Sequence, residues 1–193
     1  MKHFVVYLWL FLWTSALAQD RVIGHVGSQS VLESQLKGSD DATRAEHLRD
    51  LVVFPAIRAY LQPHQQRLKP TDQEIQRFMQ LEREDRQCRG EADEPEDPFF
   101  AEWMVSNLKL QRYIYKQHGA GRLRFQQMGT EAFDATREMI LELERRGAFA
   151  IHSAELRRLA LNYWLEPNGP LMPDPGVDKA FKIERALNTC PSR

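Results

Sequence analysis

Covalent or metal chemistry in a chain of this size would rest on histidine, cysteine, serine and carboxylate side chains, and their spacing decides what they can do. His25, His47, His64, His118 and His152 stand far apart along the sequence. None lies three or four positions from another histidine or a cysteine, and no H-E-x-x-H occurs, so a zinc site of helical spacing is not encoded. Glu46 and His47 are adjacent and would point in different directions on a helix. Each of these histidines therefore reads as a solvated surface side chain. No G-x-S-x-G elbow surrounds a serine, and Ser28, following Gly27, reads as a turn residue. Gly119-Ala120-Gly121 joins a helical pattern to a strand pattern, the reverse of a phosphate loop, and reads as a helix stop. Glu142 and Glu144 lie among Arg137, Arg145 and Arg146, the pattern of paired surface charge. These residues imply no catalytic constellation, no metal and no cofactor.

Two other sets remain. Cys88 and Cys190 both lie in polar, irregular stretches. In an oxidising compartment they would pair, closing a loop of about 100 residues worth up to ~4.7 kcal/mol by chain entropy; two unpaired thiols are the alternative. The aromatic set Phe99, Phe100, Trp103, Tyr113 and Tyr115 is denser than one buried helical stripe requires. Core is the default use of such residues, and a share of them would suit a groove for another chain. Phe100, Trp103 and Tyr113 are the candidate polypeptide-binding residues.

The elements that must position these side chains are mostly helical. Val22 to Gly27 is rich in β-branched residues, Gly27-Ser28 offers a turn, and Ser30 to Leu32 resumes an extended run. Asp41 is a credible helix cap, and Leu48, Leu51, Val52, Pro55 and Ala59 keep one helical face. Pro55 lacks an amide proton and must kink or restart that helix; Pro63 makes the following segment irregular. Thr71 and Glu74 form a capping box for a helix reaching about Gln87, with Ile75, Phe78 and Met79 on its apolar side. An acidic loop spans 89–97, then Asp97-Pro98 starts the aromatic helix from Phe99 to Gln117. That helix is apolar on more than one face and should lie centrally. Beyond Gly119 and Gly121, Arg122 to Gln126 alternates like a strand, and Ala148 to Ile151 is a second strand able to pair with 123–127. Thr130 is expected to cap a helix through Leu143, and Ser153 one through Trp164. Residues 166–176 read as a proline-glycine linker, and 177–193 as a C-terminal helix and tail, helical from Val177 to Leu187 around Phe181. The fold class is mainly α, a multi-helix domain with a few short β-strands.

Composition places the chain in a compartment. Phe4 to Trp13 is apolar apart from the Tyr7 hydroxyl and would span about 15 Å as a helix, too short to anchor in a bilayer. Ala16-Leu17-Ala18 follows, so residues 1–18 read as a cleaved signal peptide with the mature chain starting at Gln19. The main domain is then 19–165. Loss of Lys2 leaves one fewer than 26 basic side chains against 27 acidic, which argues against nucleic acid as a partner. No later run is long enough to span a membrane.

Arg21 to Met79 resembles the N-terminal, peptide-binding domain of SurA-type periplasmic chaperones. The similarity lies in the strand–turn–strand opening from Val22 to Ser34, the leucine-rich helix around Leu48 to Leu61, and the helix entry from Lys69 to Ile75. It covers about a third of the chain. Pro55 and Pro63 depart from it, and residues 99–193 lack the histidine-lined arrangement of a parvulin domain, so isomerase activity does not carry over. The resemblance implies an exported, periplasmic chaperone-like or assembly-factor protein that binds unfolded or extended polypeptide clients without covalent chemistry; secretion is the alternative destination. A prolyl isomerase of the parvulin-associated family, or a structural subunit of an envelope complex, are the other readings left open.

Overall fold

A glycine sets the first turn. Strands β1 (Val22–Val26) and β2 (Gln29–Leu32) run antiparallel with Val26 opposite Gln29, leaving Gly27 and Ser28 as the loop. Gly27 takes φ 56°, the positive value that a two-residue hairpin of this hand asks of its first loop residue. The computed structural model describes residues 20–92, 95–126 and 129–186; the expected signal segment and Cys190 lie outside them. On its other side β1 pairs antiparallel with β5 (Phe149–Ile151), giving the order β2-β1-β5. A Cβ on Gly24 would come within 2.6 Å of the Ala150 carbonyl oxygen, so this close pairing requires glycine. The expectation that 148–151 would pair with 123–127 is thereby corrected. Shared burial does not distinguish the partners, since Leu123 lies in the same core as Ile23, Phe149 and Ile151; the close approach that Gly24 permits does.

Helix α1 (Asp41–Leu48) is capped by Asp40, whose carboxylate accepts the Thr43 amide at 2.9 Å; Asp41, the residue expected to cap, is the first helical residue. The chain then widens into a π-turn, Arg49–Val53, closed by the Phe54 amide donating to the Arg49 carbonyl. Pro55 explains the widening. Its ring would crowd the carbonyl four residues back, and an extra residue in the turn gives it room while α2 (Phe54–Leu61) continues. The insertion also rotates the faces. Ala45, Leu48, Val52, Val53 and Ala56 form the buried stripe, whereas Ala59, expected on it, is exposed. A 3₁₀ turn at Gln62–His64 absorbs Pro63 before α3 (Gln65–Leu68).

The Thr71–Glu74 capping box is present in both directions at the start of α4 (Asp72–Arg89), which ends on Gly90 at φ 70°. Asp97 caps α5 (Pro98–His118) through the Phe99 and Phe100 amides. Helix α5 is central, touching α3 and α4 as well as elements later in the chain. Its first turns join Phe78 and Met79 in a smaller core through Ala101, Met104 and Val105; its last turns join the main core through Tyr113, Ile114 and Tyr115.

The second sheet is built from β3 (Leu123–Gln126), β4 (Gly129–Glu131) and β6 (Leu171–Met172), in the order β4-β3-β6. Thr130, expected as a helix cap, lies inside β4, and α6 (Phe133–Arg145) begins after Ala132 without a side-chain cap. Helix α7 (Ala154–Leu165) is capped by Ser153 as expected and packs on α1. The stretch 166–176 supplies β6 as well as a connection. The terminal helix expected from Val177 to Leu187 is instead two short ones, α8 (Val177–Ala180) and α9 (Ile183–Ala186). Phe181 makes the break, turning its ring into the core against Tyr115 at 5.5 Å. Tyr115 also donates to the Asp174 carboxylate at 2.6 Å, and burial with that carboxylate pushes its phenol up to about 12. The chain is thus mainly helical with short strands.

Leu48 is fully buried in the stripe that precedes the π-turn. Leu48→Ala is expected to lose ~2–5 kcal/mol in denaturant unfolding, against no more than ~0.5 kcal/mol for Ala59→Ser. Equal losses would contradict the rotated face.

Candidate functional site

The π-turn leaves α2 with two uses. Its buried stripe faces the core, while Phe54, Ile57 and Leu61, three and seven positions on, face a cleft of about 540 Å³. Helix α5 contributes Trp103, Leu110 and Ile114 on a matching helical rhythm, α6 contributes Met139, and α7 contributes the adjacent Tyr163 and Trp164. Phe54, Trp103 and Tyr163 are 39%, 37% and 41% exposed, so three of the chain's exposed large apolar side chains ring one opening. Trp164 is buried between two of them, its ring perpendicular to Phe54 and nearly so to Tyr163, each at 5.7 Å. These are edge-to-face contacts, which hold the wall rigid. Arg49 stands at one end with its guanidinium 5.8 Å from the Phe54 ring.

Beneath Tyr163 lies a buried cation. Arg124 of β3 is 4% exposed, with its guanidinium 4.5 Å from the Phe133 ring and 5.0 Å from the Tyr163 ring. It donates to the carbonyl oxygens of Tyr163, at 3.1 Å, and Glu166, at 3.2 Å, which α7 leaves without helical partners at its C-terminal end. Glu131, opposite Arg124 on β4, sits 3.6 Å away and accepts from the Tyr163 hydroxyl at 3.4 Å. Burial raises the Glu131 carboxyl above its usual range, and the Arg124 charge opposes that rise. On the α5 side, the Gln111 side chain accepts the Ala132 amide at 2.9 Å, covering the chain where β4 passes into α6. The arrangement can bury an apolar group between fixed aromatic walls.

Of the three candidate residues, Trp103 lines this cleft. Phe100 stands behind it, stacked on Trp103 at 6.3 Å and edge-on to Phe78 at 6.1 Å. Tyr113 is 6% exposed and faces elsewhere, 4.8 Å from the His64 ring and under Arg67. Phe54, Tyr163 and Trp164 are cleft residues that sequence reasoning assigned no binding role. The sequence carried no signal for Tyr163 and Trp164, because with Leu156, Leu159 and Ala160 they occupy the i, i+3, i+4, i+7 and i+8 positions of an ordinary buried stripe.

Two histidines differ from the solvated reading. His118 ends α5, and its side chain is only 6% exposed. Its Nε2 meets the Tyr60 hydroxyl at 2.8 Å and its Nδ1 the Glu142 carboxylate at 3.0 Å, joining α2, α5 and α6. Burial lowers its pKa, against the pull of Glu142, while burial and Tyr113 raise the Tyr60 phenol. His47 accepts the Lys37 amide at 3.0 Å. The sheet also brings His25 and His152 to 5.9 Å, a proximity that sequence spacing hides. Among the described residues no three histidine, cysteine or acidic side chains converge as a metal site, and no helix is long and apolar enough to cross a membrane.

Because folding depresses the His118 pKa, the unfolded chain takes up that proton first as pH falls. The stability from neutral His118 is complete above the ordinary value of 6.5 and declines below it. Subtracting the stability curve of His118→Gln from that of the native protein between pH 8 and about pH 5 should show this decline. A flat difference would remove the buried neutral imidazole.

Compared with known proteins, the chain matches no family model, no curated protein and no solved structure.

Proposed function

We propose that this is an exported periplasmic chaperone-like or assembly-factor protein of the SurA type, which holds extended segments of unfolded polypeptides without bond chemistry. The observation that carries the reading is the apolar cleft ringed by half-exposed Phe54, Trp103 and Tyr163. A client segment would seat apolar side chains against these rings, gaining roughly 25 cal/mol for each Å² of apolar surface removed from water. Trp103 is the candidate best placed for this; Phe100 supports it, and Tyr113 acts through the core.

Export and a Cys88–Cys190 disulfide belong to the same proposal. The sequence of residues 1–18 supports export, and among the described residues there is no free cysteine. Intact mass of protein purified from an exporting host should correspond to a chain beginning at Gln19 and lighter by two hydrogens. A full-length mass, or reduced thiols without a dimer, would reject each part separately.

Holding is measured by light scattering of an aggregating client, run beside isomerisation of a proline peptide. Suppressed aggregation with an unchanged isomerisation rate is expected; accelerated isomerisation would favour the parvulin-associated enzyme. Trp103→Ala should weaken suppression while changing stability by less than ~1.5 kcal/mol, whereas Tyr113→Ala should lose ~3–5 kcal/mol. Loss of holding only in step with loss of stability would make Trp103 plain core.

A further inference from the structure

The cleft carries an asymmetry of charge. Among its described lining residues there is one cation, Arg49, and one acid, Glu131. Glu131 already lies 3.6 Å from Arg124, and the two side chains are 10% and 5% exposed. Opposite charges that close, in a poorly solvated place, largely cancel at a distance. Arg49 is partnered differently. Its guanidinium meets Glu46 at 3.1 Å, one turn earlier on the same helix, and the Glu46 side chain is 67% exposed. An exposed pair of this kind is worth only ~0–1 kcal/mol and is readily exchanged for another anion. The Arg49 side chain itself is three-quarters covered, at 24% exposure, and its guanidinium lies by Phe54, the first ring of the wall that continues through Trp164 to Tyr163.

Resting on the polypeptide-binding reading, we propose that the cleft selects segments in which a bulky apolar side chain lies next to an acidic residue, with Arg49 reading the carboxylate. The apolar side chain enters between Phe54, Trp103 and Trp164. The neighbouring aspartate or glutamate displaces Glu46 from Arg49, and Glu46 swings into water. The guanidinium fork suits a carboxylate in two-point contact, which a backbone carbonyl or an amide cannot match. On that reading the occupant is a polypeptide segment, and charge complementarity sets its chemistry: an apolar lining beside one exchangeable guanidinium matches an apolar side chain next to a carboxylate. A basic residue at the same place would face Arg49 and be disfavoured.

The four tryptophans make the test simple. Trp9 and Trp13 fall in the expected signal peptide, and Trp103 and Trp164 both line the cleft. Intrinsic fluorescence of the exported protein therefore reports on this site. It is titrated with three blocked hexapeptides of leucine and serine that differ only in a central aspartate, asparagine or lysine. The aspartate peptide should bind about fivefold more tightly than the asparagine peptide, and the lysine peptide more weakly than either. The preference should shrink as salt is raised from low ionic strength to about 1 M. Glu46→Gln, a change at an exposed residue, should enlarge the aspartate preference by freeing Arg49. Arg49→Glu should invert it in favour of lysine, and Glu46→Gln decides the matter if Arg49→Glu does not fold. Equal binding of all three peptides overturns the charge reading and leaves polypeptide binding standing. Binding of decanoate with no binding of any peptide overturns both. Tighter binding by a peptide whose sole carboxylate is its own C-terminus overturns the internal acidic residue.

Discussion

A guanidinium without water is the interaction on which the cleft depends. Arg124 carries a full charge at 4% exposure, and taking such a charge from water costs several kcal/mol unless the site gives back hydrogen bonds and countercharge. Two carbonyl oxygens at the end of α7, one carboxylate and two aromatic faces do so. Those partners come from α7, β4 and α6, so a single side chain fixes the mutual position of three elements. The ring of Tyr163 rests on Arg124, and Trp164 rests on Tyr163. Their orientation toward the opening is set by where the cation sits. A shorter side chain at 124 would leave the buried Glu131 carboxylate without its countercharge and the Tyr163 carbonyl without the guanidinium, which is worse than never having buried them.

The opposite wall is set by a covalent constraint. A regular helix from Asp41 to Leu61 would present one apolar stripe and bury it. Pro55 forbids the regular turn, and the extra residue of the π-turn shifts the residues of α2 by roughly one position in the helical cycle. Ala45, Leu48, Val52, Val53 and Ala56 stay with the core, and Phe54, Ile57 and Leu61 are turned to the cleft. One amphipathic segment thus does two jobs in succession. Helix α5 does its two jobs in parallel, with Tyr113 and Tyr115 buried while Trp103 lines the opening. The His118 junction with Tyr60 and Glu142 ties the far end of α2 to α5 and α6, so the two walls cannot drift apart independently.

Local signals in the sequence carried most of the elements. The Thr71–Glu74 box, Asp97-Pro98, Ser153 and the Gly27 turn each act within a few residues, and each is found where its chemistry placed it. Long-range pairing was not legible, because strand propensity says nothing about partners. The choice of β1 for β5 depends on Gly24, which the run 148–151 does not display. Thr130 illustrates competition between two uses of one residue type: a threonine caps helices and also fills strands, and here the ladder with Phe125 takes it. Phe181 shows tertiary burial overriding a helical pattern. For the cleft, the aromatic density of α5 was readable, and the contribution of Phe54 was not, since its exposure depends on the π-turn.

An opening of this kind survives only if the frame around it is stable without an occupant. Among the described residues its walls come from helices and strands, closed by edge-to-face rings and a buried cation held by helix-end carbonyls. Such a frame loses little freedom on binding, so the entropy of association falls on the occupant. An extended client loses ~1–2 kcal/mol of backbone entropy per residue it fixes. A cleft of about 540 Å³ accepts few side chains, so on the proposed reading only a short stretch becomes ordered and binding is weak and quickly reversed. On the same reading, weak capture by a rigid apolar site would let a client leave and resume folding. On the proposed reading the same arithmetic would make a single lining cation matter: against so small a net binding energy, one carboxylate contact of ~1 kcal/mol is enough to choose among segments.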